Sequence, residues 1–526
     1  MVKKKILLIC KETFAYPLYF LAKKWCKDNE VAAFFFMPAE CKYDVCDLNR
    51  STYYKFKEIK EINTFDVCEI ADEFTKKLND LDVDDDYLRN VEKKYTYFKN
   101  LRLQLTTSQF TTRQFHYRNY MKLFNQKQEE NWLILNYKRV ISIIDEFNPD
   151  VIIDYDDAEL VRSIINEIAY DRKIPYITIN HPRYEDYKIF TFTMGIGMEK
   201  YFEDEYHEFY KQNQTELREE YKYIYDYRKR NSIMPDEYKN TITANYKKEG
   251  IFTAIKRMLF QINYFVKQDL SGDNFWLKRN NPYIYPNSLE YIKYYLRVCV
   301  NRRKLATKNT YFSDPCLGEK YVYMPLHLIP ESTTFVKAPF YTNELMLIEA
   351  VSKALPVGWK LYVKEHQAML GERGLEFYKN VNRIPNVKMV QYNYYNDPKP
   401  WIANSLGVIT ITGTAAYEAA LMGKRSLIFG DVPFGLIEGI TKVDSFEKLP
   451  RLLANISDPI DNIHSCAAYI ATVKKLGEPI KYKYLMQEGY EILNHNKEIT
   501  NKYKEEIDNL DNFYNKAYKK YKELFC

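Results

Sequence analysis

The run GVITITGTAAYEAALMGKRSLIFG, residues 407–430, puts polar turn residues between two apolar segments, followed by a short helix-like stretch with a glycine stop. It reads as strand, tight turn, helix, strand. In that arrangement Thr412, Gly413 and Thr414 open the helix. Their backbone N–H groups and the positive end of the helix dipole would face a crevice where a phosphate could sit. Gly413 would let the phosphate approach the backbone. Glu418, one turn on, is placed to accept hydrogen bonds from ribose hydroxyls. The bland alternative makes Thr414 an N-cap and Glu418 a solvated residue on an amphipathic helix.

A second cluster ends another strand-like run, LYVKEHQ at 361–367. Lys364 and His366 would lie at the same sheet edge, able to neutralise charge developing on a departing phosphate. A single histidine after a strand is as often a satisfied structural residue. A third cluster, YMPLHLIPESTT at 323–334, follows the first strand of the same region. His327 and Glu331 would point into a cleft, and Ser332 with Thr333 could hold phosphate or sugar. The competing reading is a connection whose path Pro325 and Pro330 fix.

These clusters need a sheet whose strands all end at one edge. From Lys320 onward, strand-like runs begin near Tyr321, Lys360, Val387, Gly407 and Ser426, separated by helix-like runs near 343–355, 372–382, 398–405 and 414–422. Such alternation predicts a doubly wound α/β domain, with ligands beyond the carboxyl ends of its strands. The same rhythm occurs earlier. An apolar run at Lys5–Cys10 precedes Leu18, Leu21, Ala22 and Trp25 at helical spacing and a second run at Val31–Met37. Another begins at Val151, followed by Val161, Ile164, Ile165 and Ile168 on one helix face and a further run at 174–179. Segments 85–145 and 200–312 are rich in Tyr, Lys, Glu and Asn and read as helical insertions on the first domain.

The expected fold class is therefore α/β, with two doubly wound, Rossmann-type domains. Residues 1–315 form the first, 316–470 the second, and 471–526 a helical tail packing back on the first. The 526-residue chain is long enough for two cores. Its net charge of +6, from 77 basic and 71 acidic residues, argues against a nucleic-acid partner. The nine cysteines show no CxxC pair and no zinc spacing, so they read as reduced, mostly buried thiols. The apolar run at the start is too short for a signal peptide, and no stretch approaches the roughly 20 apolar residues of a membrane span. A cytoplasmic protein is expected. Residues 250–267 carry Ile255, Met258, Leu259, Ile262 and Phe265 at helical spacing with Lys256, Arg257 and Lys267. This is foremost the buried face of a helix, and alternatively a contact with the inner face of an anionic membrane.

The motifs PLHLIPEST, LYVKEHQ, ITGTAAYEA and GKRSLIFG, about a fifth of the chain, resemble the capsule polysaccharide biosynthesis family, surface-carbohydrate glycosyltransferases of the Kdo-transferase-like kind. The resemblance implies a GT-B fold with an acceptor-binding first domain, a donor-binding second domain and catalysis between them. It also implies inverting, metal-independent transfer from a nucleotide sugar, CMP-linked donors included, to a polysaccharide or lipid-linked glycan acceptor. Family members usually carry Lys-Glu-His-Pro; here Gln367 replaces the proline, which implies a looser loop.

Inverting transfer needs a general base, which that layout places in the first domain. Asp154-Tyr155-Asp156-Asp157 and Asn180-His181-Pro182-Arg183 each follow a parallel strand. Asp156 and His181 rank above Asp157, whose commoner use is an N-cap. A metal at the Asp cluster is not expected, because hard cations want more oxygen ligands than the sequence shows; no cofactor is implied. Two rival readings use the same fold: a CDP-alcohol phosphotransferase of teichoic-acid type, and a non-catalytic polysaccharide-binding or assembly protein.

Overall fold

The computed structural model describes residues 3–36, 52–67, 70, 73–74, 83–107, 124–156, 159–234, 288–307 and 310–525, with single positions between 252 and 266. Its strands, in chain order, are β1 Lys5–Cys10, β2 Glu30–Phe35, β3 Ile62–Asp66, β4 Val151–Ile153, β5 Tyr176–Asn180, β6 Tyr187–Thr191, β7 Tyr321–Pro325, β8 Lys360–Lys364, β9 Val387–Val390, β10 Gly407–Thr410, β11 Ser426–Ile428, β12 Ile440–Lys442 and β13 Glu478–Pro479. They make two sheets, ordered β13-β6-β5-β4-β1-β2-β3 and β12-β11-β10-β7-β8-β9.

All pairings in the second sheet are parallel. Numbered from β7, its order is 3-2-1-4-5-6, the Rossmann arrangement, in which the strand order reverses between the first and fourth strands. The first sheet repeats that order over β1 to β5 and then adds β6 and β13 antiparallel. The chain thus has two Rossmann-like domains, a GT-B-like fold.

Both faces of these sheets are covered, which is why the strands read as continuous apolar runs. In β1 the period-2 alternation sends Ile6, Leu8 and Cys10 to one core and Leu7 and Ile9 to another. The first of these cores runs on through helix Ile463–Leu476 into the second sheet, reaching Tyr321, Tyr362 and Val408. Helix Ile463–Leu476 packs on helices Lys200–Tyr210 and Arg218–Lys229. The helices Tyr482–His495 and Asn501–Phe525 then return to helix Ala15–Trp25 and to β5, β6 and β13.

Three details depart from the sequence reading. Helix Ser288–Thr307, expected on the first domain, packs on the second: Arg302 Nε donates to Leu370 O at 2.7 Å, Asn301 to Gly371 O at 3.2 Å, and Leu305 joins the second domain's core. The second sheet has a sixth strand, β12, whose three residues bury only Ile440 and so left little apolar signal. Of the described cysteines, Cys10 and Cys466 are buried, whereas Cys316 is exposed.

The 250–267 stripe falls largely outside the described residues. Of the stripe, Ile255 and Leu259 are exposed, Met258 and Ile262 are half-buried, and the Phe265 side chain lies outside the described residues. Among the described residues, no helix is long and apolar enough to cross a membrane.

Candidate functional site

The second sheet's switch point lies between the carboxyl ends of β7 and β10. The sequence puts His327 beyond one and Thr412-Gly413-Thr414 beyond the other, and the structure joins them. His327 Nε2 lies 3.0 Å from Thr410 Oγ1 and accepts the Thr412 N–H at 3.4 Å. The Gly413 N–H donates to Thr410 Oγ1 at 3.1 Å. Two of the amides expected to face a phosphate are therefore held by protein groups. The structure also gives Gly413 a further reason: a Cβ there would lie 2.3 Å from Thr410 Oγ1 and 3.3 Å from His327 Nε2. Any side chain at this position would push the turn off the histidine. Thr414 precedes helix Ala415–Leu421, with no side-chain capping bond.

β8 supplies the neighbouring loop. Lys364 pairs in register with Pro325, and the Leu326 N–H donates to the Lys364 carbonyl at 2.8 Å, so the loops after β7 and β8 start side by side. Burial pushes the Lys364 ammonium down to about 8, with Glu365 opposing. His366 is pushed down to about 4, by burial first and then by the charges of Arg373, His327 and Lys364. It is therefore neutral at neutral pH and acts as a hydrogen-bonding group there, not as the fixed cation anticipated. Its Nδ1 accepts the Ala368 N–H at 3.2 Å, leaving the proton on Nε2. The loop is not loosened by Gln367. Residues Gln367–Met369 form a tight turn capped by His366, with the Met369 N–H donating to the His366 carbonyl at 2.8 Å.

Sequence reasoning missed the group beneath these loops. Arg373 is fully buried and reaches three acceptors: Glu365 Oε1 at 2.7 Å, the His327 carbonyl at 2.8 Å, and Glu344 Oε2. A charged side chain with no exposure persists only when paired. The signals were present as a glutamate just after a capping asparagine, Asn343, and an arginine between two helices, but neither matches a motif.

The facing wall comes from the first domain. Asn180 closes β5, and its Oδ1 accepts both the His181 N–H at 2.9 Å and the Lys337 Nζ at 2.9 Å, the latter from the end of helix Ser332–Lys337. His181 is exposed as a residue, yet its imidazole is closely surrounded by protein. That enclosure holds its pKa well below the ordinary value, with the charges of Lys188, Arg183 and Lys337 adding. Tyr469 OH donates to the Pro182 carbonyl at 2.8 Å and steadies the loop. Arg183 takes φ +71° there, and its charge opposes the rise of Glu418. Burial first, then repulsion from Asp397, pushes the Glu418 carboxyl up to about 7. Arg228, from helix Arg218–Lys229, donates to the Leu421 carbonyl at 2.7 Å and locks this wall to helix Ala415–Leu421.

The remaining expected residues are less closely gathered. Glu331 is half-buried just before helix Ser332–Lys337, and the Ser332 side chain lies outside the described residues, as does Asp157. Asp156 sits at the first sheet's own switch point. Arg162 Nη1 contacts it at 3.2 Å, and its carbonyl accepts Thr178 Oγ1 at 2.8 Å. Arg162 is fully buried between the rings of Phe36 and Tyr155 and also pairs with Asp154 at 2.9 Å. Burial lifts Asp154 to about 6 despite that pairing. Asp156 is thus committed to Arg162, which sets it apart from His181.

No family model matches the chain, and no curated protein matches it either. Among solved structures it is similar to the β-Kdo 2,7 transferase of Thermosulfurimonas dismutans KpsC, with 10% identity, TM-score 0.29, and coverage of 68% of this chain and 90% of that one. The β-Kdo 2,4 transferase of the same KpsC gives 12% identity and TM-score 0.28, covering 66% and 87%. UDP-GlcNAc 2-epimerase from Methanocaldococcus jannaschii, in complex with UDP-GlcNAc and UDP, gives 10% and 0.27, covering 90% and 100%. At such identities and scores nothing about chemistry follows from the likeness.

Proposed function

We propose that the protein is a glycosyltransferase that takes a sugar from a nucleotide-activated donor, with the donor in the second domain and the acceptor against the first. The observation that carries this reading is the convergence at one switch point. His327, Lys364, His366 and the 412–414 turn lie at the carboxyl edge of a Rossmann-ordered sheet, and His181, Arg183 and Lys337 gather at the seam with the first domain. Lys364 and His366 would meet the nucleotide phosphate and Glu418 its ribose.

His181 is the proposed base. It is neutral at physiological pH and exposed as a residue, whereas Asp156 is committed to Arg162. The acceptor would be a surface polysaccharide or lipid-linked glycan, met at the inner face of the cell membrane.

The test is a thermal-shift screen against CMP, CDP, UDP, GDP and their sugar conjugates, followed by analysis of the glycan product. A selective rise in melting temperature with a glycosylated product is expected. Transfer of a phosphorylated alcohol would support the teichoic-type rival, and glycan binding with no nucleotide response would support a non-catalytic protein.

A further inference from the structure

We propose that Glu344, held by Arg373, is a positioning residue that fixes His327 as the Nδ1–H tautomer, so that its bare Nε2 is the acceptor that holds the 412–414 turn. The functional part of this inference rests on the donor-site reading above; the tautomer itself does not.

The hydrogen bonds leave one arrangement. The Thr412 N–H can only donate, so His327 Nε2 must accept. With Nε2 accepting, the Thr410 hydroxyl 3.0 Å away can only be a donor to it, while its oxygen accepts the Gly413 N–H. A bare Nε2 puts the proton of the neutral ring on Nδ1. That atom lies 3.4 Å from Glu344 Oε1, the oxygen that also accepts the His327 N–H at 2.7 Å. Burial would raise the Glu344 carboxyl, yet the Arg373 charge, with His327 adding, brings it down to about 2. The group facing Nδ1 is thus a permanent anion.

Arg373 gives the anion its orientation and couples both histidine loops. One guanidinium holds Glu344, the His327 carbonyl and Glu365, and Glu365 accepts the His366 N–H at 2.6 Å and Tyr378 OH at 2.7 Å. Among titratable groups, His366 also lies close enough to feel the charge of His327.

The experiment is imidazole nitrogen NMR on the intact, ligand-free protein labelled at its seven histidines, with His327→Gln used for assignment. The expected wild-type spectrum shows Nδ1 protonated and Nε2 bare. In Glu344→Gln the preference for the Nδ1–H form should weaken, with part of the population shifting to Nε2–H. An Nε2–H tautomer in the wild type, or an unchanged tautomer ratio in a folded Glu344→Gln, overturns the proposal. Should Glu344→Gln not fold, the wild-type tautomer decides alone. Neither readout requires a nucleotide to bind, so failure here and failure of the transferase reading are separable.

Discussion

Lys337 Nζ donates to Asn180 Oδ1 at 2.9 Å across the seam between the two domains, and both residues are buried. Asn180 uses the same oxygen to hold the His181 N–H, so a second-domain cation steadies the loop of the proposed base. Lys337→Met should leave the Asn180 oxygen short of a donor, costing about 1–3 kcal/mol. Activity should fall more than nucleotide affinity. Thermal melts and steady-state kinetics check both.

Glu418 should give nucleotide binding a pH dependence. Its folded-state pKa of about 7 is raised, and ribose hydroxyls donate more strongly to the ionised carboxylate than to the neutral acid, so binding favours loss of the proton. Affinity should therefore rise with pH and level off above about 7, being roughly tenfold weaker one unit below. Glu418→Gln should bind more weakly and lose that limb. Calorimetry across pH is the measurement.

Gly413→Ala should damage the site more than the fold. The added methyl would overlap Thr410 Oγ1 and crowd His327 Nε2, forcing the turn outward. Overpacking of this kind costs about 1–3 kcal/mol. A cooperative melt with nucleotide affinity lost is the expected pair of results; unchanged affinity would detach the turn from the nucleotide.

His181 and Asp156 can be separated by what each loses. His181→Ala should lower kcat by about 10²–10⁴ with donor KM little changed, as removal of a general base does. Asp156→Asn should retain activity within about tenfold and instead lower stability, since it removes one of the Arg162 partners.

The second sheet was legible because its strands are buried on both faces. Tyr321, Lys360, Val387, Gly407 and Ser426 each begin an observed strand. β12 and the two-residue β13 were not, because strands this short hold too few apolar residues to show a period. For the site, residues next to a strand end were placed by the topology alone, which brought His327 to the 412–414 turn. The Glu344–Arg373 pair follows from three-dimensional packing of two helices and two loops, and sequence distance hides it. A glycine in a turn states that room is needed but not for what; at Gly413 the structure shows Thr410 and His327 as neighbours that a side chain would meet.

Tyr514 OH donates to the Asp154 carbonyl at 2.9 Å, joining residues 360 positions apart. Tyr482 stacks on Tyr155 beside it, and Phe513 and Tyr521 pack on Phe190 and Phe192. The first domain's apolar surface is therefore completed by residues the ribosome adds last among those described. At roughly 5–20 residues per second, β4 and its loop wait about 20–70 s for their partner. During synthesis this domain has an uncovered flank, so a nascent chain stalled before residue 480 should recruit chaperones and resist native folding, whereas release of the longer chain lets both domains close together.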